Sequence, residues 1–181
     1  ALETTRSVEA TAMARPDTGG GKASTMVELR AVEPAFPMYG KMELAFGAPY
    51  SHNLLKNRGA LVRPEILTRL GVRVGDRIRI GEAGFEIRGV VTREAGRSLS
   101  MFTLGPRVFI DYADLAATGV LEYSSRVRRQ ILVRVDEEKI QGLVWDLEGA
   151  LGDEFVRVRS YKEAGDQLAR RLNRGESYLS L

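Results

Sequence analysis

The stretch Thr18-Gly19-Gly20-Gly21-Lys22 has the composition of a phosphate-binding loop, in which backbone N–H groups cradle phosphate oxygens. That chemistry needs a glycine five residues before the Gly-Lys pair and a serine or threonine after the lysine. Pro16 and Ala23 hold those places, so the stretch reads as a flexible turn. Gly175-Glu176-Ser177 resembles a nucleophile elbow, but Leu179 replaces the second glycine. Any Ser–His chemistry would need His52, the only histidine. It lies in the polar connector Tyr50-Ser51-His52-Asn53 and is expected to be an exposed loop residue. No second histidine or cysteine lies near it to share a metal.

Asp111 and Asp114 are close enough to suggest a carboxylate pair, yet they stand where a helix cap and first turn want acids. The chain has no cysteine, which excludes disulfides, thiolate zinc sites and a thiol nucleophile. The expectation is therefore no catalytic residue, no cofactor and no metal. Arginine outnumbers lysine 22 to 5 at a net charge of +3. Arg126, Arg128 and Arg129 cluster, as do Arg170, Arg171 and Arg174, but neither group alternates with aromatics as nucleic-acid surfaces do. Nucleic acid is not an expected partner.

Two connectors carry large apolar residues where surface loops are usually polar. One runs through Phe36, Met38, Tyr39 and Met42. The other spans 94–106 and holds Leu99, Met101, Phe102 and Leu104. Either segment folds down to complete the core, or stays exposed as an adaptable contact for an amphiphile or partner. The contact residues expected are Leu99, Met101, Phe102, Leu104, Phe36, Met38 and Tyr39, with the Met101–Phe102 loop favoured because Gly96 and Gly105-Pro106 bracket it like hinges.

The elements that would position these residues follow from periodicity. A helix is expected over 2–14, on an apolar face of Leu2, Val8, Ala12 and Met13. Strands are expected at 26–32, 41–46, 77–80, 85–88 and 107–110, the 77–88 pair alternating apolar and charged residues. Pro64 and Gly71 punctuate a helix between them. Asp111 should cap, and Gly119 end, a further helix. The run Ile131-Leu132-Val133-Arg134-Val135 reads as a strand buried on both faces. A helix with Ile140, Leu143, Val144, Leu147 and Leu151 on one face follows, then a strand at 155–159 and a helix from Ser160. The fold class is α+β. No run reaches the ~18 apolar residues of a membrane span, and the beginning Ala1-Leu2-Glu3, without an initiator methionine or a signal-peptide pattern, raises the expectation of an excised piece.

The stretch from Gly59 to Ile80, with Leu70-Gly71 and then Val74-Gly75-Asp76 leading into a strand, resembles the extracytoplasmic domains of MacB/FtsX-type ABC transporter permeases. Phe85–Val91, Gly105-Pro106-Arg107-Val108-Phe109-Ile110-Asp111 and Phe36-Pro37-Met38-Tyr39-Gly40 follow the same family order, the last resembling a connector of the YbbP-like branch. The resemblance covers about residues 26–115. The long Gln-rich or hydrophobic insertion that some members use to grip a partner is missing.

That resemblance implies a two-lobed, MacB-like periplasmic core: a mixed α/β porter lobe from 1–47 and 126–181, and an inserted β-rich sabre lobe from 48–125. It implies a periplasmic domain of an inner-membrane permease, dimeric and driven by a separate ATP-binding cassette ATPase subunit. The domain would pass that movement to a lipid, peptide or other amphiphile, or to a periplasmic partner. A hydrolase or transferase with an unrecognised site, and an arginine-rich nucleic-acid-binding module, are the competing classes.

Overall fold

The structure, a computed structural model, describes residues 2–17, 23–94, 105–123, 126–152 and 156–160. The chain divides into two compact units, Thr4–Val133 and Ala1–Glu3 with Arg134–Leu181.

Eight strands form one mixed sheet: β1 (Glu3–Pro16), β2 (Thr25–Val32), β3 (Glu43–Leu44), β4 (Gly59–Val62), β5 (Arg77–Ile80), β6 (Ala83–Arg93), β7 (Arg107–Asp111) and β8 (Val127–Arg134). Six of them close on themselves. Starting from β1, the order β2-β7-β4-β6-β5 returns to β1, because β1 pairs with β2 along one edge and with β5 near its end. The β2–β7 and β4–β6 pairs are parallel and the other four antiparallel. Closure removes exposed edges from the ring.

Register explains the interior. Ala10 faces Leu29, Leu29 faces Val108, Val108 faces Val62, and Ile78 faces Phe85, so apolar residues meet layer by layer. Small Ala10, Ala12, Ala14, Ala31 and Ala60 leave room for Phe85 and the isoleucines, as a narrow barrel requires. A register shift between Ala60 and Leu61 against β6 leaves Arg88 unopposed, so Ile87 points inward while Val91 points outward. Helix α1 (Pro64–Leu70) adds Ile66 and Leu70 to this core. Pro64 opens it, and Gly71, at φ 65°, ends it by donating to the Leu67 carbonyl.

A second core lies on the outer face, where Val32, Leu61, Val91 and Phe109 meet Phe36, Met42, Leu44 and Leu55 of the connector between β2 and β4. The unit Thr4–Val133 is thus layered: an apolar barrel, then an apolar cover over one wall.

Several expectations change. Residues 3–16 are a strand, not the helix expected over 2–14, because the buried set is Val8, Ala10, Ala12 and Ala14 at period two. Alanine gives a weak hydrophobic signal, so that alternation is hard to see in sequence. Strand 41–46 shortens to β3, and the turn at 82–84 moves forward as β6 begins at Ala83. The segment after Asp111 forms 3₁₀ turns at Tyr112–Asp114 and Ala116–Thr118, with Asp111 capping and Gly119 left-handed at φ 65°, before the short α2 (Val120–Tyr123). Strand β8 spans 127–134 and holds no buried residue; Ile131 is 64% exposed. It stands outside the ring, at the end of the strand order, and so lacks the cover expected on both faces.

In the other unit, Asp136 precedes a 3₁₀ turn at Glu137–Lys139 and α3 runs from Ile140 to Leu151, where the helix was expected to end, but none of its residues is buried and Trp145 is 78% exposed. Residues 156–160 have no regular structure, against the strand expected at 155–159. The helix expected beyond Ser160 lies outside the described residues.

Candidate functional site

The connector 33–55 positions Phe36, Met38 and Tyr39, and Glu94 and Gly105 are the stems of the 95–104 segment. Phe36 and Met38 are buried, 6% and 5% exposed, while Tyr39 is 60% exposed. Phe36 packs edge-on to Tyr50 at 6.3 Å, lies 6.2 Å from Phe109, and receives the Arg30 guanidinium over its face at 4.9 Å. It is a core residue with a cation on top. Leu99, Met101, Phe102, Leu104 and Gly96 lie outside the described residues.

Both stems of that segment are held. Glu94, with its side chain 6% exposed, accepts from Arg30 Nη1 and from Arg107 Nη1, each at 2.5 Å. Arg107 also reaches Glu28 at 2.9 Å, and Arg30 lies 3.5 Å from Glu9. Burial lowers the Arg107 pKa, but Glu94 and Glu28 outweigh it and hold the guanidinium firmly charged. Gly105 is no open hinge: a Cβ there would stand 2.4 Å from the Met26 carbonyl oxygen. Next to it, the Pro106 carbonyl accepts from the Glu28 N–H at 3.1 Å. β2 therefore backs the returning stem directly.

His52 is not the exposed loop residue expected. Its side chain is 9% exposed and its Nε2 lies 3.1 Å from Asp111 Oδ2, while Nδ1 is buried without a partner. The Tyr50 hydroxyl is also buried without a partner. Burial raises the Tyr50 pKa far above the ordinary phenol range, and the Asp111 charge adds to that. Asp111 and Asp114 do not act as a pair. Asp111 Oδ1 caps the Ala113 N–H at 3.0 Å, and Asp114 takes the Arg58 N–H at 3.2 Å and its Nε at 3.1 Å. The sequence signal for the His52–Asp111 bond was absent, since the two residues stand 59 positions apart.

The arginine excess is largely used within the fold. Arg6 meets Glu33, Arg58 meets Asp114, and Arg77 and Arg79 both meet Asp17. Arg128 approaches Glu9 at 4.0 Å, and Arg134 pairs with Glu3 at 2.9 Å. Arg170, Arg171 and Arg174 lie outside the described residues, as do residues 18–22 and 175–179. Among the described residues, no group of three or more His, Cys, Asp or Glu side chains could hold a metal ion, and no helix is long and apolar enough to cross a membrane. What the described residues offer is a closed, ion-latched barrel with one apolar connector on its wall.

Residues 1–143 match the MacB-like periplasmic core domain, and the chain belongs to that family. It is a distant homologue of an uncharacterized ABC transporter permease, YbbP, of Escherichia coli K12: 29% identical over 126 residues, covering 69% of this chain and 15% of that permease. The chain thus spans a small fraction of the length of that curated relative. Among solved structures it is similar to the periplasmic region of MacB from Actinobacillus actinomycetemcomitans, with a TM-score of 0.58 at 11% identity over 92% of this chain and 75% of that one. It is also similar to the extracellular domain of the noncanonic ABC-type transporter YknZ from Gram-positive bacteria, with a TM-score of 0.56 at 14% identity over 83% and 76%. The mixed α+β fold is that of the MacB periplasmic domain, a periplasmic or extracellular domain carried by a membrane permease.

Proposed function

We propose that this chain couples ATP-driven movement of a permease's membrane helices to export or extraction of a lipid, peptide or other amphiphile. The supporting observation is the closed barrel of the MacB-like fold, whose buried charges are engaged with one another instead of converging on a reaction centre. A closed barrel with its loop stems clamped moves as a body, which is what transmission of force needs. In this reading the parent protein is membrane-embedded and dimeric, and a separate ATP-binding cassette ATPase drives it. The two-lobed division, porter-like at 1–47 and 126–181 and sabre-like at 48–125, belongs to the same proposal. Within it the sabre-like lobe corresponds to the barrel, which also draws on β1 and β2. Residues Leu99, Met101, Phe102, Leu104 and Tyr39 are the proposed contacts, while Phe36 and Met38 are core residues.

The absence of cysteine makes the topology simple to test. Thr68 is exposed on α1, so Thr68→Cys in the full-length permease gives one label site within this domain. A membrane-impermeant maleimide added to spheroplasts should label it without lysis. Labelling only after lysis would sink the extracytoplasmic reading.

A further inference from the structure

Met42 and Leu44 alternate into the second core, each 5% exposed, and continued alternation would bury Phe46 beside them. The chain turns away instead. Phe46 sits in the 3₁₀ turn Ala45–Gly47 with its side chain wholly in solvent, at 106% relative exposure. Its backbone is left-handed, φ 61° and ψ 22°, and Gly47 follows at φ 69°. That conformation suits glycine and is strained for a bulky side chain. A large aromatic ring therefore occupies a position where neither packing nor backbone preference calls for one.

Its surroundings indicate what the ring meets. Tyr39 is 60% exposed a few residues upstream, with Lys41 exposed between them. Arg93, 74% exposed, faces Glu43 across the β3–β6 pair. Gly47, Ala48 and Pro49 beside the ring are exposed and small, so the turn lacks the cluster of large side chains that forms the centre of a protein–protein contact. A lone ring can instead enter a bilayer, which needs no complementary pocket. Aromatic rings beside cations are the side chains that settle at the headgroup boundary, and the chain's net charge of +3 favours an anionic surface.

We propose that Phe46 is a membrane-interface anchor. The Ala45–Gly47 turn dips into the headgroup–acyl boundary of an anionic bilayer, and Lys41 and Arg93 lie at the level of the phosphates. The inference rests on the domain being carried by a membrane permease.

The test uses this chain with Trp145→Phe and Phe46→Trp, titrated with phosphatidylethanolamine–phosphatidylglycerol vesicles. The new tryptophan should shift its emission to the blue and be quenched by bromine-labelled acyl chains. Phe46→Gly should weaken vesicle binding about ten-fold, the loss of one partly inserted ring, while thermal stability stays level or rises because glycine suits the left-handed turn. An unshifted spectrum, equal binding by Phe46→Gly, or a fall in its melting temperature would each overturn the anchor. If Phe46→Gly stops transport by the full-length permease while vesicles leave the spectrum unchanged, the ring contacts protein or cargo, and the bilayer proposal fails alone. Failure of the extracytoplasmic reading is seen separately, in the Thr68→Cys labelling.

Discussion

His52 Nε2 stands 3.1 Å from Asp111 Oδ2, tying the turn at His52–Leu54 to the end of β7. The other ring nitrogen, Nδ1, is buried without a partner. Sequence alone makes His52→Ala innocuous for fold and transport; the structure predicts otherwise for stability. Losing a buried bond to a carboxylate costs about 1–3 kcal/mol, read as a lower urea midpoint at constant slope. Asp111→Asn alone should recover part of the bond. A His52→Ala midpoint equal to the parent's would show the bond to be idle.

Tyr50 sets the alkaline limit. Burial, and secondarily Asp111, raise its folded pKa above the unfolded value of about 10. The sign follows: stability is fully present below pH 10 and falls as pH rises from there toward the folded value, because only the unfolded chain ionises readily. Tyr50→Phe removes that slope. Its hydroxyl has no partner, so the variant should match or exceed the parent near neutral pH. Chemical unfolding at pH 7 and pH 10.5 distinguishes the two proteins, and parallel pH curves would sink the assignment.

Glu33 acts at the other limit. Its bonds to Arg6, Nε to Oε1 at 2.7 Å and the backbone N–H to Oε2 at 2.7 Å, hold its pKa below the ordinary carboxylate range. Folding stability from this group is present above the unfolded pKa of about 4.3 and is lost as pH falls through the folded one. Arg6→Gln should lower the neutral plateau slightly, since the arginine is solvent-facing, and so flatten the acid limb between about pH 5 and 3, the two proteins converging at the acid end. Equal acid limbs in parent and variant would assign acid unfolding to other carboxylates.

How far the sequence carried is clear from particular residues. Pro64 and Gly71 announce α1, and the alternation of Arg77–Ile80 announces β5, because both signals are local. The order of motifs from Gly59 to Asp111 was enough to indicate the family. β1 looks helical in sequence because alanines at 10, 12 and 14 fill a narrow barrel and scarcely differ from a helical face on a hydropathy scale. Closure of the barrel rests on the pairing of Ala14 with Ile80, 66 positions away, which no local pattern encodes. Phe46 continues the alternation of Met42 and Leu44 in sequence, and only its backbone angles reveal that it turns outward.

Glu94 holds two arginines at the base of the 95–104 segment, and removing it should be costly. Arg30 and Arg107 are 11% and 16% exposed, so Glu94→Ala leaves two nearly buried guanidinium groups short of an anion. Breaking a buried pair in this way costs about 3–5 kcal/mol. Glu28 and Glu9 remain close to Arg107 and Arg30 and should hold the loss to the lower end. Glu94→Gln, which keeps an acceptor oxygen, should lose less. Denaturant midpoints rank the two variants, and a Glu94→Ala loss below about 1 kcal/mol would show the network to be solvent-screened.

The contact role of the 95–104 segment is testable against Phe36. Phe36 is buried against Phe109 and Tyr50, and Phe36→Ala should cost about 3–5 kcal/mol. Met101→Ser with Phe102→Ser should behave differently if these side chains meet cargo or a partner: melting temperature nearly unchanged, export reduced. Full burial of either residue contributes about 1.5–3 kcal/mol, so a core role would show as a large fall in melting temperature. The stems make the comparison clean, because the Glu94–Arg107 pair and the Glu28–Pro106 backbone bond lie outside the substituted positions. Transport by the reconstituted full-length permease, set beside thermal unfolding of each variant, therefore separates a contact from a core residue. A stable double variant with undiminished export would remove this segment from the proposed site.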